Sequence, residues 1–454
     1  MTLANGIPFA PLPFPNYDVG QFPQPGYATT AGGTPTVFYD RNAGRPPRQW
    51  QWSFGVQREI FQNLAVELAY VGNRGVWWNS PGLVDPNGLT IQRLQSFGID
   101  INNAADRSLL TSQIGSAAAA GRGLRAPYAG FPLTATVAQA LRPFPQFNTV
   151  LPLWAPLGKT WYDSLQIKAT KRYSAGLSFT SSFTWQKQLV LGSPNAVRVG
   201  NAPDGPVNDV FDRDKNKYLS QFDQPFLFNF AVNYTLPRLN TNNVLSWAIR
   251  DWTFGGFVAY SSGLPILAPF AQNNLNSLLL RAITVTGSNA TYANRVPGQP
   301  LFLKDMNCHC FDPNKEFVLN PNAWADPAPG QFGTGAPYYS DYRYPRIPQE
   351  NLAVGRTFRI GERASFNIRA EFSNIFNRSR ILILNSNQAT NLSTTNARAT
   401  RTGTDASGRT ITLAPDAGSH VDGKVVSGFG FINTTTTPTI PTSRQGTIVG
   451  RFVF

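Results

Sequence analysis

Strict alternation of apolar and polar residues, segments of strand length and a repeating short–long rhythm of connections predict an all-β chain. Its expected form is an antiparallel barrel that crosses a membrane with strands. The clearest alternation lies between Ala364 and Ser373. Ala364, Phe366, Ile368, Ala370 and Phe372 fall on one side, and Ser365, Asn367, Arg369, Glu371 and Ser373 on the other. Successive side chains of a strand point to opposite faces, so this segment has one greasy and one wet face. Leu352, Val354, Phe358 and Ile360 repeat the pattern just before it, and only Gly361, Glu362 and Arg363 intervene, a hairpin connection. Each segment holds about ten residues, the length that crosses a bilayer when tilted.

Composition fits. Of 454 residues 14% are charged and 13% aromatic, with 39 Gly and 36 Pro. A soluble domain usually carries about a quarter charged residues. The mean hydropathy of −0.22 is no objection, because the lumen-facing residues of a barrel dilute each strand's signal. No run reaches the roughly eighteen apolar residues of a helical span. The net charge of +14 favours anions such as lipopolysaccharide, but the basic residues are scattered and no nucleic-acid reader is present, so no nucleic-acid partner is expected. Met1 to Ala10 lacks the basic start and apolar core of an export signal, so the chain is expected to be a fragment of a longer precursor.

In chain order, residues 1–47 are rich in Pro, Gly and aromatics without periodicity and form an expected extracellular loop segment. The barrel portion then occupies 48–454. Trp50, Trp52, Phe54 and Val56 alternate with Gln51 and Ser53, and a turn near Glu59 to Asn63 leads to Leu64, Val66, Leu68 and Tyr70. Gly72 to Trp161 is a long connection, with short helices expected around Ala104–Ser112 and Val137–Leu141. Leu165, Ile167 and Ala169 open a third hairpin, closed after Arg172–Gly176 by Leu177, Phe179, Phe183 and Trp185. Phe228 to Leu236 and Trp252 to Tyr260 follow, with Pro237 ending the first of them because it has no N–H for the ladder. A second very long loop, Ser261–Glu350, precedes the hairpin described first. A Thr-rich connection then leads to the last strand, where Ile448, Gly450, Phe452 and Phe454 share a face. The count is about nine strands. Short turns and long loops alternate, as in outer-membrane barrels, which places the C-terminus on the short-turn, periplasmic side. An odd count with an open edge is not viable in lipid, so further strands are expected upstream of Met1.

Residues Ile368–Asn377, the terminal strand ending in Phe454, and the segments Gln51–Gly75 and Tyr162–Lys187 together resemble the C-terminal barrel of TonB-dependent transporters. More narrowly they are similar to the Oar-like group, whose members carry a carboxypeptidase-regulatory-like domain and a plug. The resemblance spans Arg48 to Phe454 and rests on weak motifs occurring in the expected order. It implies a 22-stranded barrel, coupling to TonB through a plug not present in this chain, and import of a scarce or large ligand such as a carbohydrate or a metal chelate. It also implies that Gly450, Phe452 and Phe454 form the signal read by the barrel-assembly machinery. Outer-membrane lipid and lipopolysaccharide are the other partners implied. A non-transporting Oar-like surface or adhesion protein is the first alternative, and a soluble extracellular β-rich binding module the second.

Little else suggests chemistry. Cys308-His309-Cys310, followed by Asp312, is a weak metal candidate, since a closed site needs four ligands and His420 is far away in sequence. A Cys308–Cys310 disulfide is the other reading for an oxidising compartment. No nucleophile pattern accompanies either histidine, so neither an enzyme nor a cofactor is expected. Trp77, Trp78, Trp154, Tyr338, Tyr339 and Tyr342 lie in or beside the long loops, where exposed rings stack on sugars or flat ligands. Interfacial belts and loop packing are the competing role for them. Arg356 falls on the greasy side of its strand. Either it snorkels, or Gly355 marks a bulge that resets the register.

Overall fold

The structure, a computed structural model, describes residues 36–40, 45–192, 208–237, 246, 248–271, 275–280, 291–308, 310–313, 315–360, 364–378, 401–404, 410–413, 420–421, 424–425, 429–432 and 443–454. Nine strands form one continuous meander. They are β1 (Arg48–Phe61), β2 (Leu64–Asn79), β3 (Pro156–Ser174), β4 (Leu177–Leu191), β5 (Phe226–Thr235), β6 (Trp252–Ser261), β7 (Ile347–Ile360), β8 (Ala364–Ser373) and β9 (Gln445–Val453). Each pairs with its neighbour in sequence, antiparallel throughout, and the short strand Lys217–Leu219 adds to the end of β4. Among the described residues β1 and β9 are the two edges, so the sheet is not closed.

The turns show why the register holds. Between β1 and β2 only Gln62 and Asn63 intervene; Asn63 takes φ 69°, and its N–H donates to the Glu59 carboxylate at 2.8 Å. Asparagine tolerates that left-handed conformation better than most residues. Between β3 and β4 the turn residues are Ala175 and Gly176, with φ 51° and 82°, the two positive values a tight hairpin turn needs. A Cβ on Gly176 would collide with the carbonyl of Thr235. The short connections near residues 243 and 362 lie outside the described residues. Register still places Phe454 at the short-turn end, since Val453 pairs with Ser365 at the start of β8.

Directly paired residues share a face, so the ladders carry the one-strand alternation across the whole sheet. Tyr70 pairs with Phe54 and Leu165, Leu165 with Trp185, and Trp185 with Phe226. Farther along, Phe372 pairs with Leu352, and Ala370 with Val354 and Ile448. Every strand therefore turns its greasy residues to the same side. Among the described residues no second layer covers them: Phe54 is 72% exposed, Trp185 56%, Ile448 75% and Phe452 52%. This excludes a soluble sandwich, which would bury that face.

Two strands are longer than expected. The sequence pattern ends β2 near Gly72 and starts β3 near Trp161, whereas the strands run on to Asn79 and from Pro156. Trp77 adopts φ 63° and the pairing shifts between Val76 and Trp78, so the alternation breaks while the ladder continues. At Gly355 the opposite holds. Pairing runs without a shift from Leu352 through Ile360, so there is no bulge and Arg356 stays on the greasy face.

The chain divides into two compact units. The sheet belongs to one, residues 40–84, 154–276 and 284–454. The other comprises residues 1–39, 85–153 and 277–283. It contains a parallel pair, Thr36–Tyr39 with Thr149–Pro152, and four short helices: α1 (Ile91–Ser96), α2 (Ala104–Thr111), α3 (Ala117–Gly121) and α4 (Val137–Ala140). Thr90, Asn103, Ser116 and Thr136 each cap one helix by accepting a backbone N–H. Arg142, 1% exposed, ties the unit together by donating to the carbonyls of Asn87 at 2.7 Å and Leu279 at 3.1 Å.

Phe230 sits halfway along β5 on the greasy face, and Asn229 beside it on the other. Phe230→Arg is expected to cost about 2–4 kcal/mol of folding stability in liposomes, and Asn229→Arg about 1 kcal/mol or less. Denaturant titration of the two variants in bilayers measures the difference.

Candidate functional site

A groove of about 440 Å³ opens on the polar face, where β5 to β9 present Asn233, Asn351, Glu371, Ser373, Gln445 and Thr447. A single groove drawn from five successive strands requires the sheet to curl toward that side. The polar face is thus the concave, lumen-like one, and the greasy face the convex one. Glu371 is held by Arg369 at 2.5 Å, and Asn367 donates to Thr357 at 2.9 Å. The groove offers amide, hydroxyl and carboxylate groups, which bind water, polar solutes or a polar protein surface.

On the convex face several charges are engaged with one another or with rings. Arg74 makes a two-pronged contact with Asp163, at 3.0 and 2.8 Å, and Tyr70 donates to the same carboxylate at 2.7 Å. Glu350, buried, accepts from Tyr260 at 2.8 Å and from Arg378 at 2.9 Å. Arg356 lies over the rings of Trp252, at 5.4 Å, and Phe358, at 4.8 Å. Desolvated cations over rings gain electrostatically from the ring quadrupole. Pairing and ring contact are what make these charges tolerable beside hydrocarbon.

The long connection between β6 and β7 is a packed layer with its own core. Ile266, Tyr292, Val318, Trp324 and Tyr342 are all fully buried in one cluster. Arg343 reaches Asp223, itself 1% exposed, at 2.5 Å. Asn208 donates to the carbonyls of Gly333 and Gly335 and accepts the Tyr292 N–H at 3.1 Å, binding three segments together. The sequence carried no periodicity from which to foresee this core.

The loop aromatics separate accordingly. Tyr342 is 0% and Tyr338 9% exposed, and Tyr339 packs against the same cluster, its hydroxyl accepting from the Ala336 N–H at 2.9 Å. In this arrangement these three rings hold the layer together and offer a ligand little surface. Trp77 is covered by the guanidinium groups of Arg45 and Arg48, at 3.8 and 4.5 Å. Trp154 donates to the Arg45 carbonyl at 2.8 Å. Trp78 inserts its ring against Gly75, and its Cβ and carbonyl lie against Gly158. The structure does not gather the six rings into one site.

Cys308 and Cys310 are joined by a disulfide, with Cα atoms 5.3 Å apart, which removes both as thiolate ligands in this state. His309 and the His420 side chain lie outside the described residues. Among those described, no group of three or more His, Cys, Asp or Glu residues could hold a metal ion. Gly450 and Phe452 take their places on the convex face of the edge strand β9, and Phe454, 96% exposed, follows it with its ring 6.1 Å from that of Phe452.

Burial pushes the Tyr338 phenol up to about 12, with Tyr344 adding to the effect, and pushes the Tyr342 and Tyr292 phenols well above their ordinary value. A raised phenol favours the fold while protonated. The layer is therefore expected to keep its stability below pH 10 and lose it as pH rises toward about 12. Limited proteolysis of the Ser262–Arg346 segment across that range measures the loss. Removing a buried partner is a second probe: Asp223→Ala is expected to destabilise the layer by about 3–5 kcal/mol by stranding Arg343.

A family model described as the outer membrane β-barrel domain matches residues 1–412. No curated protein matches the chain. Among solved structures, the outer membrane transporter YddB from Escherichia coli is 9% identical, with a TM-score of 0.34. That match covers 77% of this chain and 31% of the other. The FpvAI–pyocin S2 complex is 10% identical, with a TM-score of 0.30, over 74% of this chain and 24% of that one. The chain thus spans less than a third of the length of either. With its lipid-compatible convex face and its antiparallel meander, the chain belongs to the outer membrane β-barrel domain family, and its place is the outer membrane.

Proposed function

We propose that the chain is the C-terminal barrel portion of a TonB-dependent receptor of the Oar-like group, importing a ligand too scarce or too large for simple diffusion. The observation that carries this reading is the groove on the concave face, with Asn351, Glu371 and Gln445 among its lining groups. A hydrogen-bonding inner wall suits a plug surface or a solute path, and the motif resemblance from Arg48 to Phe454 names the same architecture. In this mechanism the loop layer captures the ligand, and displacement of a plug opens the path along the polar wall. TonB supplies the work. No residue of this chain acts as a catalyst in that scheme, and no cofactor is needed.

The buried aromatics of the loop layer favour a second reading, a non-transporting surface protein. Rings such as Trp324 and Tyr342 stiffen an outer platform and present no stacking surface. The two readings part in cells that carry the complete protein. Accumulation of radiolabelled oligosaccharides and iron chelates is expected to require TonB, and to fall several-fold in an Asn351→Ala, Glu371→Ala double variant that still reaches the membrane. Accumulation indifferent to loss of TonB, or surface adhesion without accumulation, overturns import in favour of the surface role.

A further inference from the structure

The β6–β7 layer contains a small hairpin that the import scheme leaves unused. Its legs are residues 301–303 and 318–320. The Leu303 N–H donates to the Val318 carbonyl at 2.8 Å, the Asn320 N–H to the Leu301 carbonyl at 3.0 Å, and Phe302 faces Leu319. Val318 and Leu319 are fully buried, and Lys304 pairs with Glu316 just beyond them. The tip past that pair carries the Cys308–Cys310 disulfide, with Cys310 exposed and Cys308 half-buried.

The hairpin owes little to this bond. The freedom a cross-link removes from the unfolded chain grows with the logarithm of the loop it closes. Here one residue separates the two cysteines, so that gain is near its minimum, and the ladder, the ion pair and the buried legs hold the hairpin instead. Around Cys308 the geometry favours the opened form. Its sulfur lies 3.2 Å from the Asp305 carbonyl oxygen. A disulfide sulfur has no hydrogen to give that oxygen, whereas a thiol donates to it. The carbonyl is held in place by the turn. It also accepts the Cys308 N–H at 3.2 Å, and the Asp305 carboxylate accepts the Asn307 N–H at 2.8 Å. The Asn307 side-chain oxygen in turn accepts the Arg346 N–H at 3.0 Å, one residue before β7. A disulfide whose reduced form is stabilised is a strong oxidant, and an exposed one is labile.

We propose that Cys308–Cys310 is a thiol-exchange site that takes low-molecular-weight thiols as a mixed disulfide on Cys310. The thiolate of such a compound attacks the exposed Sγ of Cys310. The S–S bond breaks and its electron pair leaves on Sγ of Cys308, which takes a proton from water and donates a hydrogen bond to the Asp305 carbonyl. A protonated Cys308 is a poor nucleophile, so it is slow to expel the adduct. A second thiolate attacks the sulfur of the bound compound, removes it as its own disulfide and leaves both cysteines reduced, so two thiols supply the two electrons.

The site rests on the loop layer and not on import, so loss of the transport reading leaves it standing. The test treats the full chain in detergent micelles with reduced glutathione, quenches samples over time with N-ethylmaleimide and maps the products by mass spectrometry. Glutathione on Cys310 with maleimide on Cys308 is expected first, and doubly maleimide-labelled chains later. Asp305→Ala releases the turn that holds the carbonyl and is expected to lower the adduct yield at least fivefold. Asp305→Asn keeps an acceptor for the Asn307 N–H and is expected to restore it. Limited proteolysis of the Ser262–Arg346 segment is expected to be unchanged by reduction and in a Cys308→Ser, Cys310→Ser variant. A disulfide that stays intact, glutathione on Cys308, doubly labelled chains with no preceding adduct, or a yield unmoved by Asp305→Ala overturns the proposal. Faster proteolysis after reduction also overturns it, in favour of a structural staple.

Discussion

The constraint on which this structure depends is that hydrocarbon offers the backbone no hydrogen-bond partner. Every N–H and C=O at membrane depth must be satisfied within the sheet. The unbroken meander from β1 to β9 meets that demand strand by strand, and the meander in turn fixes the register. Because the side-chain period is two, one slipped residue would turn a whole strand's phenylalanines to the wet side. The tight turns at Asn63 and at Ala175–Gly176 are therefore more than connections: their left-handed residues keep the pairing in step.

Register also explains how charge survives on the greasy face. Arg74 and Asp163 lie on neighbouring strands one register step apart, and Arg356 is set directly opposite Trp252. An isolated cation at the midplane is costly, and these are not isolated. Their partners come from adjacent strands, so a sequence window contains only half of each arrangement. Arg356 looks like an error in the alternation of β7 until β6 is laid beside it.

Legibility followed the same boundary. The alternation of Ala364–Ser373 and of Phe228–Leu236 identified strands because each is a local pattern, and the short helices expected around Ala104–Ser112 and Val137–Leu141 are α2 and α4. Beyond Gly72 the pattern faded, since glycine carries no polarity to alternate and the bulge at Trp77 shifts the phase, so the extension of β2 and β3 was missed. The loop core was illegible altogether. Ile266, Tyr292, Trp324 and Tyr342 have no common period, and what unites them is the folding of a long connection against itself and against Phe429 and Ile432 of the next one. Rings read as loop aromatics in sequence could not be divided into buried and exposed before that closure was known.

Cations on the greasy face obey one rule at both ends of the sheet. Arg356, set opposite Trp252, lies over the rings of Trp252 and Phe358 and is 9% exposed. Arg58, paired with Val66 near the first tight turn, and Lys159 and Lys217, near the loop end, are exposed. A cation within the hydrocarbon band needs a ring or a carboxylate from the adjacent strand, whereas one at a rim reaches the interface along its own stem. The ladder that satisfies the backbone thereby also decides which cations need a partner.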